Sequence, residues 1–201
     1  MAQVDGRHGN LGESQRCRPF LQLRQPFLPM PQNLHQSSHS PAPIVGTGHW
    51  PSESDAMAFA QRLAAQPSLA PGRLALQGPL GAGKTTFTRH LLRALGVQGN
   101  IKSPTYAVLE PHQADAAHGG FEVLHFDAYR LNDPQEWDDA GFRELWDGPG
   151  LKLCEWPERV PELAHAVDWW LRIEPQADGS RDWHLSAPTE RGAQWLRAVN
   201  A

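Results

Sequence analysis

The chain has 201 residues, 40% of them hydrophobic, enough for one domain of ordinary size with an apolar core. A formal net charge of −4, with no block of Lys or Arg, argues against a broad nucleic-acid-binding face. Two cysteines, Cys17 and Cys154, make no disulfide or metal framework, and ten histidines show no ligand spacing, so the default setting is reducing and cytoplasmic with no histidine metal site.

Residues 1–43 are crowded with Pro, Gln, His, Ser and Arg, show no period of two or 3.6, and hold no apolar run able to span or anchor in a membrane. They are predicted to be a disordered tail. Arg18, Gln22, Arg24 and Gln25 interrupt the stretch around Phe20, so it lacks the core of a secretory signal. A transit peptide, or a start codon placed too early with initiation at Met30, are both left open. Residues 44–201 are predicted to form a single P-loop domain.

That domain begins with a predicted edge strand at 44–48. Ser52, with Asp55 three residues on, starts a helix whose apolar face is Met57, Phe59, Ala60, Leu63 and Ala64. A loop at 67–72 leads into a short strand at 73–77, then a glycine-rich turn, then a helix at 86–95 with Phe87, Leu91, Leu92 and Leu95 at helical spacing and Gly96 as its stop. Pro104 interrupts 101–109, which predicts a loop entering a strand at about Tyr106, and 111–120 reads as a polar hairpin loop. A buried strand at 121–126 ends at Asp127. Asp133 and Pro134 open a helix that Gly141 ends, and a further helical turn covers 142–146. The strand at 151–155 ends in Glu155. A hairpin follows, with strands at 168–174 and 182–187 around a turn at 177–180, and a helix at 190–199 closes the chain. The alternation predicts an α/β fold, a P-loop NTPase-type sandwich with a mainly parallel central sheet plus antiparallel additions.

The turn after the second strand, Gly78-Pro-Leu-Gly-Ala-Gly-Lys-Thr85, has the pattern G-x-x-x-x-G-K-T. Gly81 and Gly83 allow a tight backbone that presents N–H groups to phosphate oxygens, Lys84 reaches the β- and γ-phosphates, and Thr85 offers a hydroxyl to Mg²⁺. Hydrolysis needs a further metal ligand and a group that positions or deprotonates water. Asp127 and Glu155 each end an apolar strand, where ligands of open α/β sheets sit, but sequence does not divide the two roles between them. Ser103 and Thr105 offer hydroxyls from the place a nucleotide-sensing loop takes; an ordinary proline turn is the competing reading. Trp156 is ambiguous between core packing and function.

Taken together, Gly78-Pro-Leu-Gly-Ala-Gly-Lys-Thr-Thr86, Lys102-Ser-Pro-Thr-Tyr106, His125-Phe-Asp-Ala-Tyr-Arg-Leu131 and Cys154-Glu-Trp-Pro-Glu158 resemble, in order and spacing, the TsaE family, also called YjeE. The likeness runs from about Gly46 to the C-terminus. It implies a Mg²⁺-dependent ATPase of bacterial tRNA threonylcarbamoyladenosine biosynthesis, weak alone and stimulated by its partners TsaB and TsaD, meeting tRNA indirectly through that complex. Its ATP cycle would reset or support the complex rather than transfer the carbamoyl group. Carried over residue by residue, Gly78, Gly81, Ala82, Gly83, Lys84, Thr85 and Thr86 hold ATP, with Lys84 also catalytic. Thr85 and Glu155 bind Mg²⁺, and Asp127 is the hydrolytic acid. Ser103, Thr105, Tyr106 and Trp156 fall in the switch and partner-facing region, while Glu53 and Arg181 line the nucleotide pocket. The chain departs from the family pattern in its tail, in 113–120, and at Pro79, where an acidic residue is frequent. A free-standing P-loop kinase for a small metabolite, and a nucleotide-gated binding module with negligible turnover, are the competing functions.

Overall fold

The structure is a computed structural model that describes residues 44–200; the tail expected at 1–43 lies outside the described residues. Its strands are β1 (Ile44–Trp50), β2 (Arg73–Gln77), β3 (Leu109–Gln113), β4 (Glu122–Asp127), β5 (Leu151–Glu155), β6 (Trp169–Pro175) and β7 (Arg181–Ala187). The α-helices are α1 (Glu53–Ala64), α2 (Lys84–Ala94), α3 (Gln135–Asp139), α4 (Phe142–Asp147) and α5 (Glu190–Asn200). All seven strands join in one sheet in the order β1-β7-β6-β2-β5-β4-β3. The four central strands, β6, β2, β5 and β4, pair in parallel, whereas β3 at one edge and β7 with β1 at the other add antiparallel pairs. This is the expected sandwich.

The parallel centre follows from its sequence. Leu74, Ala75 and Leu76 of β2 are buried, as an unbroken apolar run must be when both faces of a sheet are covered, and all of β5 is buried beside them, Lys152 and Glu155 included. On one face α1, α2 and α5 supply Phe59, Leu63, Phe87, Leu91, Trp195 and Leu196 to a core shared with Leu74, Leu153 and Trp169. On the other, Trp137, Phe142 and Trp146 of α3 and α4 surround Phe126 with ring centroids at 4.9, 5.7 and 5.9 Å. Strand alternation therefore turns Phe126 toward α3 and α4, and turns His125 and Asp127 in opposite senses from it, toward the α2 side.

Four expectations are corrected. On α1 it is Ala56, in line with Phe59, Ala60 and Leu63 at helical spacing, that is buried; Met57 is 38% exposed. The helix after the glycine turn starts at Lys84, since Gly83 is its N-cap. Strand β3 begins at Leu109 rather than Tyr106, because Val108 takes φ 66° and breaks the extended backbone, and Tyr106 is 88% exposed. Pro111, His112 and Gln113 belong to β3 and not to the hairpin loop. An edge strand tolerates a proline because its outward side needs no N–H for the ladder.

Lys152, inside β5, is fully buried and donates its ammonium to the carbonyls of Gly148, Pro149 and Gly150. Burial, with Arg73 adding to it, brings its pKa down to about 8. The unfolded chain keeps this proton to about pH 10.4, so stability is lowest below the folded value and rises as pH climbs through it. Between about pH 7.5 and 9.5 the parent should gain about 1–2 kcal/mol relative to Lys152→Met, in which that slope is missing. Chemical denaturation of both proteins at the two pH values checks this, and parallel pH profiles would refute it.

Candidate nucleotide-binding site

The glycine turn links the buried end of β2 to the start of α2. Gly78 has φ 143°, and a Cβ there would stand 2.4 Å from the Ile173 carbonyl oxygen; Gly83 has φ 110°. Neither position accepts a side chain without strain. A bond from Ala82 N to Pro79 O, 3.1 Å, closes the loop, and no acidic residue occupies the first turn of α2. The helix thus offers unpartnered N–H groups and its positive end to an anion.

Lys84 is 4% exposed and donates to Gly78 O at 2.7 Å and Pro79 O at 3.0 Å. Its Nζ also lies 3.8 Å from the centroid of the Trp156 ring. Burial lowers its pKa, against the opposing charges of Glu155, Glu158 and Asp127. The ammonium is stored against the loop's own carbonyls, within an acidic surround.

The parallel register of β4 and β5 sets Asp127 directly beside Glu155, both at the carboxyl ends of their strands and both 2% exposed. Glu155 accepts a hydrogen bond from Thr85 Oγ1 through Oε2 at 2.9 Å, and its Oε1 lies 2.9 Å from His125 Nε2. Asp127 Oδ2 accepts from the hydroxyls of Ser103 and of Thr105, the latter at 2.7 Å, while Oδ1 accepts from Tyr129 N at 3.0 Å. Ser103 and Thr105 therefore meet the carboxylate of Asp127, an arrangement that an unrelated proline turn would not require. Cys154, buried next to Glu155 in the chain, is kept as a thiol, since burial pushes its pKa up and the charges of Asp127 and Glu155 add to that.

Both non-glycine residues with positive φ among those described flank these carboxylates: Val108, whose carbonyl accepts from Asp127 N at 2.8 Å, and Trp156, which follows Glu155 with φ 58°. Such conformations cost about 1–3 kcal/mol each and cluster where a site demands them. At Trp156 the left-handed turn brings the indole over Lys84 and against Tyr129, ring centroids 4.9 Å apart.

A cleft of about 260 Å³ opens over Gly81, Lys84, Thr85, Ser103, Asp127 and Glu155. A second, of about 220 Å³, is lined by Glu53, Ala82, Thr86 and Arg181, and Gly83 and Thr86 belong to both. The two meet along the start of α2. Glu53 and Arg181 thus share the loop with the carboxylates but face the other cleft. There Glu53 lies 3.0 Å from His90 Nε2, and Arg181 Nε donates to Ala82 O at 3.0 Å. Gly78 lines neither cleft and supports the loop from beneath.

Two further residues belong to the site and were given no role from sequence. His125 holds Glu155, and its signal was a polar residue inside an apolar strand. Glu158 stands near Lys84 with its Oε2 buried and without a hydrogen-bond partner among the described residues; burial raises its pKa. Its only signal was a second acid in the run that contains Glu155.

A phosphate-cradling loop between a buried parallel strand and a helix, with two in-register carboxylates beyond it, defines a P-loop nucleotide-binding protein. Comparison with known proteins narrows the class. The family model described as "Threonylcarbamoyl adenosine biosynthesis protein TsaE" matches residues 50–183, and the chain belongs to the TsaE family. The tRNA threonylcarbamoyladenosine biosynthesis protein TsaE of Haemophilus influenzae is 38% identical over 125 residues, covering 62% of this chain and 76% of that protein. The protein of the same name from Bacillus subtilis is 35% identical over 118 residues, covering 59% and 71%. The crystal structure of Bacillus subtilis YdiB matches with a TM-score of 0.61 at 23% identity, covering 80% of this chain and 97% of that one, a likeness of fold.

Proposed function

We propose that this chain is a Mg²⁺-dependent ATPase, weak alone and stimulated by partners, that serves threonylcarbamoylation of the anticodon-adjacent adenosine of tRNA in a cytoplasmic complex with TsaB and TsaD. Membership of the TsaE family supports the pathway. The chemistry rests on one observation, the 2.9 Å between Thr85 Oγ1 and Glu155 Oε2. Adjacent oxygen ligands of octahedral Mg²⁺, each about 2.0–2.1 Å from the ion, stand about 2.9 Å apart. The pair already has that spacing. A Mg²⁺ held there would neutralise charge on the β- and γ-phosphates.

The chain's own groups supply the rest. Loop N–H groups receive the phosphates, and Lys84 exchanges the Gly78 and Pro79 carbonyls for phosphate oxygens, the stronger charge-assisted partners. Asp127, held by Ser103, Thr105 and Tyr129 N, orients the attacking water and accepts its proton. Because those hydroxyls belong to the 103–106 loop, any change at Asp127 is felt by that loop, where exposed Tyr106 gives partners a contact. The cleft between Glu53 and Arg181 receives the nucleoside portion. Contact with tRNA runs through the partners, in keeping with the net charge of −4. A kinase would need arginines on a mobile lid. Here Arg181 is tied to the Ala82, Gly179 and Ser180 carbonyls, and Arg130 stacks 4.3 Å from the Tyr106 ring centroid.

The test is ATP hydrolysis by the chain alone and with TsaB and TsaD together. The rate should rise several-fold on adding both. A flat rate overturns partner dependence, and label transferred to a metabolite instead of water would make the chain a kinase.

A further inference from the structure

Strands β3 and β4 form the sheet edge remote from β1, and their antiparallel register sets Glu110 directly across from His125. His112, two residues along, falls on the same face. Glu110, His112 and His125 each offer one ligand atom, and these atoms all lie within 4.8 Å of one another. The imidazoles stack with centroids 6.3 Å apart. Side-chain exposure is 7% for His112 and 0% for His125, against 37% for Glu110. His112 Nε2 and His125 Nδ1 have no hydrogen-bond partner among the described residues.

A buried polar nitrogen without a partner costs about 1–3 kcal/mol, and two in one cluster are efficiently satisfied together by one shared ligand. The second nitrogen of His125 narrows its chemistry. Nε2 lies 2.9 Å from Glu155 Oε1, so the ring donates there and Nδ1 is left with a lone pair. This is the carboxylate–imidazole arrangement that orients metal-binding histidines. Burial also lowers the pKa of His112, favouring the neutral ring a metal requires.

We propose that Glu110, His112 and His125 bind a divalent transition metal of the zinc class, at a site distinct from the one proposed at Thr85 and Glu155 and coupled to it through the His125–Glu155 bond. Two imidazoles and one carboxylate suit Zn²⁺, whereas Mg²⁺ and Ca²⁺ prefer oxygen donors alone. Tetrahedral Zn²⁺ places its ligand atoms about 3.4 Å apart. From the 4.8 Å that bounds their separations, the trio must close by at most about 1.4 Å, to which rotation of the partly exposed Glu110 carboxylate contributes. Its position on the edge strand gives an ion access from solvent. The coupling, though not the site, rests on the assignment of Glu155 to Mg²⁺.

The full chain, stripped of metal and then saturated with Mg²⁺ to fill the P-loop site, is titrated with Co²⁺ and then Zn²⁺. Expected are visible bands of tetrahedral Co²⁺ that saturate at a single equivalent and are bleached by Zn²⁺. His112→Ala and Glu110→Gln should each weaken binding by at least about tenfold, while Thr85→Ala should leave the bands in place. Glu110→Gln keeps the side-chain shape, so its result does not depend on folding damage at His112. Bands that survive both substitutions, or that Thr85→Ala removes, place the ion elsewhere and overturn the site. Zn²⁺ should also change Mg²⁺-ATP affinity in the parent but not in His112→Ala; equal affinities in the parent with and without Zn²⁺ overturn the coupling. The cobalt readout uses no nucleotide, so it stands or falls separately from the ATPase assignment.

Discussion

Lys84→Ala should remove ATP hydrolysis, with kcat lower by about 10²–10³, the usual effect of deleting one donor aimed at developing charge in a closed site. Lys84 is 4% exposed, and the bonds of its ammonium to Gly78 O and Pro79 O pre-position it at the mouth of the loop. Alanine leaves the glycine backbone able to receive phosphate but takes away the ammonium that donates to the Gly78 and Pro79 carbonyls. Nucleotide affinity should fall as well, by about tenfold or more, as a hydrogen bond from a charged group is worth about 1.5–3 kcal/mol. The fold should survive. Burial penalises the charged form of this lysine, so Lys84→Met, which keeps much of the volume, should melt within about 3 °C of the parent. Hydrolysis by Lys84→Ala within about threefold of the parent would remove the lysine from the mechanism.

Glu155→Gln and Asp127→Asn should separate binding from turnover. Glu155 shares its two oxygens between Thr85 and His125, so the amide loses the charge that would hold Mg²⁺ and disturbs both contacts. Mg²⁺-dependent nucleotide affinity should drop by at least about tenfold, whereas affinity measured without Mg²⁺ should change little. Asp127 is instead fastened to the Ser103 and Thr105 hydroxyls and to Tyr129 N. Asparagine preserves its shape but cannot accept a proton, so binding should persist while kcat falls by about 10²–10⁴. Titration of a fluorescent ATP analogue with and without Mg²⁺, followed by single-turnover hydrolysis, reads both quantities. Equal loss of binding in the two variants would mean that the roles are shared and not divided.

How much of this was legible from sequence varied with distance along the chain. Strand β2, the glycine loop and α2 were read almost to the residue, because 73–96 carries its own punctuation: an apolar run, glycines at the positions of positive φ, and helical spacing after Lys84. The error at Met57 was one of phase, since Ala56 and Met57 differ by only 100° around α1 and alanine is a weak marker of a buried face. The error at β3 was of another kind. An edge strand of the sequence Leu-Glu-Pro-His-Gln has no clean alternation, and the positive φ of Val108 that delays it comes with a long-range bond from Asp127 N to Val108 O that no local pattern records.

The sequence by itself determined the phosphate cradle, the α/β class, and Asp127 and Glu155 as strand-ending acids, since each rests on contiguous residues whose chemistry and backbone preferences are local. Only the tertiary structure decided that these acids stand in register, that Thr85 bonds Glu155 while Ser103 and Thr105 bond Asp127, and that Glu53 and Arg181 face a second cleft. It also brought Glu110 and His112 to His125, histidines that looked scattered along the chain. Strand order and register fix such meetings, and they are set by the cooperative burial of the whole sheet, which no local spacing records.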